Sequence, residues 1–143
     1  MKTKLRDIIL VETSFNRSRE IDFNEKSEYD TTIKIVNGVV DNSHLVVEME
    51  YKFEIFRKEK ESESQFFYSS KHIAQFDLEE YDSEEEGIIE KLKRFANINA
   101  AAMIYPFIRE NAATISAKAG MSPIIIPVTN FIERYESLDK ESE

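Results

Sequence analysis

The side chains best suited to acid–base or metal chemistry in this 143-residue chain fall into two groups. His44 stands beside a turn and His72 inside a strand pattern. They are not spaced as a ligand pair, and no HExxH motif, cysteine pair or carboxylate cluster accompanies them. A lone strand histidine is most often structural. The carboxylates of EEYDSEEE (79–86) form the second group. They crowd a turn and a helix start, where they complement the helix dipole. Capping and solvation account for them, with a weak calcium site as the alternative. GxGxxG, P-loop and GxSxG patterns are all missing, and the glycines are only Gly38, Gly87 and Gly120. The expectation is therefore no enzyme, no catalytic residue, no metal and no cofactor.

What remains is apolar surface, concentrated in MSPIIIPVTNF (121–131). Three isoleucines, Ile124 to Ile126, stand between Pro123 and Pro127. Proline fixes its own φ and turns the preceding residue away from the α region, so a helix is excluded. The stretch is short for a strand and very apolar for a loop. Either the loop is buried or its surface serves a purpose.

The surrounding elements read clearly. HLVVEMEYKFEIF alternates Leu45, Val47, Met49, Tyr51, Phe53 and Ile55 with Glu48, Glu50, Lys52 and Glu54, a long strand with one buried and one wet face. After a polar turn at 57–64, QFFYSSKHIAQFDLEE (65–80) is a second long strand, antiparallel to the first. TTIKIV (31–36) and DIILVETSF (7–15) are two more. The second half changes period. Ser83 and Glu86 have the spacing of a capping box, and Ile88, Ile89, Leu92 and Phe95 mark one helical face. Residues 95–108 carry no charge. An irregular turn is expected near Asn97–Asn99, with Pro106 kinking a helix or marking the start of a new one, and Gly120 closing it as a C-cap. A last helix runs from Val128 to Leu138, and 139–143 is a disordered tail. Strands followed by helices make an α+β fold: a four-stranded antiparallel sheet with helices on one face, in one domain over 1–143. Strands occupy 1–82, and helices with their crossover loop 83–138. A surface helix needs a polar face, and 95–108 offers almost none, so a second copy of the chain is expected to cover it. Ala101, Ile104 and Ile108 are the candidate interface residues.

The length suffices to bury roughly 70% of the unfolded surface without a staple. There is no cysteine, no apolar run approaching a membrane span, and an apolar run too short for a signal segment near the start. A cytoplasmic protein is expected. Twenty-eight acids against nineteen bases give a net charge of −9, which argues against nucleic acid as a partner.

The segment INAAAMIYPFIRENAATISAKAGMSPIIIPVTNF (98–131) resembles the late segment of the bacterial export-chaperone family, SecB. The matching positions are Tyr105, Pro106, Phe107, Arg109, Glu110, Gly120, Pro123, Pro127, Val128, Asn130 and Phe131. Thr129 is an insertion against that pattern, and Ser14–Phe15 is a local echo in the first strand. The resemblance implies a homotetramer, a dimer of dimers with helices between two sheets. It also implies binding of unfolded or nascent polypeptides in long apolar grooves. The loop and last helix would then form a groove wall of Met121, Ile124, Ile126, Phe131, Ile132 and Tyr135, with Ile125 pointing the opposite way. Acidic residues on the exposed sheet face would dock a basic tail of the translocase motor ATPase. Glu12 falls on such a position, and Glu48 and Glu50 could add to the face. Asn16 and Ser69 stand where further acids are expected.

Three functions are compatible with these features. The first is an ATP-independent holdase for unfolded polypeptides, with delivery of preproteins to the export translocase as its export form. The second is a dedicated interaction protein or chaperone for one small partner such as an antitoxin. The third is a small-molecule-binding or enzymatic α+β domain.

Overall fold

A computed structural model describes residues 1–21, 27–57 and 60–141. Four strands, β1 (Lys2–Arg17), β2 (Ser27–Val40), β3 (His44–Arg57) and β4 (Lys60–Glu79), form one antiparallel sheet in the order β1-β4-β3-β2. All four run longer than their apolar alternation predicts. β4 starts at Lys60, inside the stretch expected to be a loose turn, and residues 58–59 of that turn lie outside the described residues. The β2–β3 hairpin closes through Asp41 and Asn42, both with positive φ, and the Ser43 N–H returns to the Val40 carbonyl at 3.2 Å. That is the hairpin turn whose twist suits the flanking strands, and asparagine and aspartate tolerate it best after glycine.

One sheet face is the core. Leu45, Val47, Met49, Tyr51 and Phe53 of β3 and Phe66, Tyr68, Ala74, Phe76 and Leu78 of β4 are buried, as their odd and even parities require. Helices α1 (Ile88–Phe95), α2 (Ala101–Lys118) and α3 (Phe131–Glu141) lie on this face, and a π-helical turn over Ala96–Ala100 joins α1 to α2. The irregular turn thus sits where Asn97–Asn99 predicts it, with the Asn97 amide donating to the Lys93 carbonyl at 2.8 Å. Pro106 neither ends nor starts a helix; it sits in the interior of α2. Alanines at 96, 100 and 101 are buried, so aromatic side chains fill the layer. Tyr105 lies edge-on to Tyr51 at 6.0 Å, and Phe95 edge-on to Phe76 at 5.1 Å.

Of the two expected caps, the one at the start of α1 fails and the one at the end of α2 forms. Ser83 and Glu86 do not form a capping box. Residues 82–87 make tight turns around Asp82, whose Oδ1 accepts the Glu84 N–H at 3.0 Å, and α1 begins after Gly87 at φ 77°. Gly120, also at φ 77°, follows α2 directly. The Met121 N–H reaches the Ser116 carbonyl and the Gly120 N–H the Ala117 carbonyl, each at 3.1 Å, which is the Schellman closure. The Arg17 guanidinium, from the end of β1, donates to the Ala119 carbonyl and so places a cation at the helix C-terminus. The last helix continues to Glu141, past the expected Leu138. Residues 142–143 of the expected tail lie outside the described residues.

His72 is a buried residue on the helix side of β4, level with Leu10 of β1 and Met49 of β3. Its Nδ1 has no hydrogen-bond partner. Burial pushes its pKa below 6.5, with Glu110 of α2 opposing. From pH 6.5 downward the unfolded chain therefore takes up a proton at this site that the folded chain refuses, and stability falls with pH. Replacing His72 with phenylalanine should flatten that part of the stability–pH curve relative to the unmodified protein, as read by denaturant melts. Parallel curves for the two proteins would contradict this account.

Candidate functional site

The loop of residues 121–130 crosses from the end of α2 to the start of α3. Its prolines keep it out of the sheet, so its main-chain polar groups need other partners. One stripe of α2 provides them. Ser116 Oγ accepts the Ile124 N–H at 2.8 Å, Arg109 Nε donates to the Ile126 carbonyl at 3.2 Å, and the Tyr105 hydroxyl donates to the Pro127 carbonyl. Positions 105, 109 and 116 share one helical face, because α-helical spacing brings i, i+4 and i+11 together. Ser116 is itself fully buried and donates to the Ala112 carbonyl at 2.8 Å. Thr129, the insertion, is not idle: its hydroxyl donates to the Tyr105 oxygen at 3.0 Å. Asn130 then caps α3, with its Oδ1 accepting the N–H groups of Ile132 and Glu133, both at 3.1 Å.

With the main chain fixed, the side chains alternate, but in the opposite sense to the expected wall. Ile126 is 0% exposed and plugs the core, Ile124 is half-buried against it, and Ile125 is 67% exposed. Phe131 and Tyr135 are also core residues, and Met121 packs half-buried against the core. Of the six expected wall residues only Ile132, 49% exposed, is open to solvent. The exposed apolar strip of this segment is Ile125, Val128 (82% exposed) and Ile132, in succession along the loop and the first turn of α3. Alternation made the parity legible; the sign required knowing which side α2 takes.

The same reversal holds on α2. Ala101, Ile104 and Ile108 are fully buried against the chain's own sheet and cannot meet a second copy. The outward face instead presents Met103 and Phe107, one helical turn apart. Beside it, β1 leaves Leu5 and Leu10 exposed on the helix side of the sheet, opposite Phe76 and His72.

The expected acidic face does lie together on the outer, wet side of the sheet, but it is interrupted. The ladders place Lys34, Glu50, Lys71 and Glu12 on one rung across all four strands, so Lys71 stands between the two glutamates. Lys52 also reaches Glu50 at 3.3 Å. Glu48 sits one rung further on, with Val36, Ile73 and Ile9. Ser69 hydrogen-bonds to Ser14 at 2.7 Å instead of supplying an acid. Among the described residues no group of three or more histidines and carboxylates could hold a metal ion, and no helix is long and apolar enough to cross a membrane.

Comparison with known proteins agrees with the fold. The family described as preprotein translocase subunit SecB matches residues 3–142. The protein-export protein SecB of Anaplasma phagocytophilum is 34% identical over 71 residues, which are 50% of this chain and 43% of that protein. The uncharacterized protein MJ0357 of Methanocaldococcus jannaschii is 33% identical over 58 residues, 41% of this chain and 37% of that protein. The matched segments therefore span less than half the length of these relatives. Among solved structures, the Mycobacterium tuberculosis SecB-like chaperone Rv1957, in complex with a ChAD peptide from the Rv1956 HigA1 antitoxin, superposes with a TM-score of 0.75. It is 21% identical, with 90% of this chain and 91% of that chain covered, and so shows a common fold.

Pinning of the loop can be tested by removing Ser116 Oγ. Ser116→Ala leaves the half-buried Ile124 N–H without its acceptor, at a cost of about 1 kcal/mol, which the better helix propensity of alanine offsets by about 0.5 kcal/mol. Ile126→Ala should cost ~2–5 kcal/mol and Ile125→Ala under about 1 kcal/mol. Equal losses for the two isoleucine variants in urea melts would refute the inward and outward assignment.

Proposed function

Since this chain belongs to the SecB family, we propose that it is an ATP-independent chaperone that holds unfolded polypeptide on the exposed strip Ile125–Val128–Ile132. One observation carries the reading. The loop is held to α2 through its main chain, and this leaves large aliphatic side chains exposed at no expense to the core. A broad apolar surface without directional polar groups suits clients of many sequences. No nucleotide enters this scheme: capture and release follow from apolar burial alone.

The assembly belongs to the same proposal. Met103 and Phe107 on α2, with Leu5 and Leu10 on β1, form the face on which a second copy packs, and a homotetramer joins several client strips. A cytoplasmic location fits this role.

A second reading is favoured by the outer rung. Lys34, Glu50, Lys71 and Glu12 sum to zero charge, so a basic motor tail gains little by docking there. This fits a chaperone dedicated to one partner, such as an antitoxin, better than one that hands preproteins to the export motor.

The triple variant Ile125→Ser, Val128→Ser, Ile132→Ser should lose most of its ability to suppress aggregation of a reduced, unfolded protein while its melting temperature stays within a few degrees. Full activity in the triple variant would remove the strip from the mechanism. Light scattering should report several times the 16.7 kDa chain mass, and Met103→Glu with Phe107→Glu should reduce it; a monomer in the unmodified protein refutes the assembly. For export, the unmodified protein should bind a basic peptide through Glu12, and Glu12→Lys should weaken that binding; no binding at low salt leaves only the dedicated-partner form.

A further inference from the structure

We infer that the face on which a second copy packs takes up a proton as it closes, held between His72 and Glu110, so that assembly tightens as the pH falls. The inference rests on the assembly proposed above. That face is apolar with one exception. On the helix side β1 offers Leu5, Leu10 and Phe15, and α2 offers Met103 and Phe107, all of them exposed. Glu110 follows Phe107 by three residues on the same side of α2 and is exposed as well. The other charges of α2 stand elsewhere: Arg109 donates to the Ile126 carbonyl, and Lys118 lies in the last turn. Glu110 is thus the one carboxylate of the helix. His72 lies beneath this face, 2% exposed on β4 opposite Leu10, and its Nδ1 has no hydrogen-bond partner. Asn111, next to Glu110, docks the helix here. Its amide donates to Thr13 Oγ at 3.1 Å and to the Tyr68 hydroxyl at 2.8 Å, and Thr13 pairs with Ser70, two residues from His72 on the same face of β4.

The strands around the imidazole bring no charge to it. β1 sets Leu10 beside it, β3 sets Met49, and β4 itself sets Ser70 and Ala74. The phenol of Tyr51, opposite Ser70, is pushed up in pKa by burial and stays neutral. Glu110 is the charge that acts on His72. In the separate protomer, burial holds the imidazole neutral above pH 6.5 while Glu110 faces water, so the pair carries one negative charge. A second copy packed over Glu110 strips that water and leaves the charge in an apolar interface, where an unpaired ion is strongly disfavoured. One proton removes this cost. On the carboxylate it leaves a neutral pair, and on the imidazole it leaves an ion pair whose members offset each other. Either way the closed face holds one proton more per protomer than the open one. Assembly therefore gains on the separate protomers as the pH falls, and the gain stops once the separate protomers take up the same proton. Two copies closed face to face take up two protons together, so the association constant changes by up to about a hundredfold per pH unit.

The test is sedimentation velocity on the full chain across pH, at low and at high salt. The dissociation constant of the assembly should fall at least about tenfold from about pH 8 to about pH 6 at both salt concentrations, because a desolvated pair is poorly screened. Glu110→Gln changes an exposed side chain. It should assemble at about pH 8 as tightly as the unmodified protein does at about pH 6, and lose the pH dependence. His72→Phe leaves the carboxylate as the only seat for the proton and should move the change to lower pH. Asp30→Asn, on the outer face of the far edge strand, makes the same change in net charge as Glu110→Gln and should keep the curve of the unmodified protein. An assembly constant that ignores pH overturns the inference and leaves the assembly reading intact. So does a response that persists in Glu110→Gln, or a curve left unchanged in His72→Phe. A response that vanishes at high salt and shrinks equally in Asp30→Asn belongs to the net charge of −9 and overturns the inference too. If the unmodified protein is a monomer at every pH, the assembly reading falls and takes the inference with it.

Discussion

A segment closed at both ends by proline cannot join a ladder, and each main-chain group buried without a partner costs about 1–3 kcal/mol. The molecule meets this constraint with one face of α2. Tyr105, Arg109 and Ser116 carry out for the crossover loop what a neighbouring strand does elsewhere, at three points instead of at every second residue. The position of α3 follows from it. The loop delivers Asn130 as a cap and Phe131 edge-on to Tyr105 at 5.3 Å, so the ring that anchors the loop also anchors the helix after it. Because the anchoring uses main chain, the loop's side chains are sorted by alternation alone, one into the core and its neighbours outward.

The sheet answers to a different demand on each side. Its inner face is closed by aromatic rings, and burial pushes the Tyr51 and Tyr68 phenols upward in pKa, so both stay neutral. The Tyr68 oxygen accepts from Asn111 at 2.8 Å, and Asn111 also donates to Thr13, which ties α2 to two strands at once. The outer face is wet, and along the rung Lys34–Glu50–Lys71–Glu12 cross-strand neighbours are opposite in sign, although Asp30 faces Glu54 further along. Opposed charges across strands stabilise such a face by only tenths of a kcal/mol per pair, but they also fix register, since a one-residue slip would place every one of them inside.

Much of this architecture was legible in the sequence because it rests on period. Two-residue alternation gave β3 and β4, a charge-free run over 95–108 with a glycine further on at Gly120 gave α2, and the proline pair marked a loop that is neither helix nor strand. Phase was a different matter. Ala101, Ile104 and Ile108 were expected on the outer face of a helix that is apolar on both sides, and sequence alone does not say which side faces the sheet. The π-helical turn adds to the difficulty. An inserted residue rotates everything after it by roughly 100°, so a stripe counted from Ile88 and Leu92 does not continue in step through Ile104. Ser83 and Glu86 had the spacing of a cap, but Asp82 captured the local N–H group first and moved the helix start to Gly87. Parity put Glu48 and Glu50 on the wet face and the family resemblance pointed to Glu12, whereas Lys71 between Glu50 and Glu12 is visible only once three strands are in register. Nothing in the spacing of Tyr105, Arg109 and Ser116 marks them as the loop's partners; their roles appear only when the loop folds back.

The strand order also sets a timetable. β2, β3 and β4 form a meander of neighbours, but β1 pairs with β4, placing Leu10 opposite His72 and Lys2 opposite Glu79. The first strand to be synthesised is therefore the last that can be paired, since its partner emerges roughly 60 residues later; at ordinary ribosomal speed that is about 3–12 s. Throughout that interval its aliphatic run, Ile8 to Val11, is an unpaired strand in solution, the kind of segment that holdases protect in other proteins. Once β4 arrives and pairs with it, the bulges beside Arg6 and Val11 bend β1 away from a flat template and so blunt the outer edge it then presents.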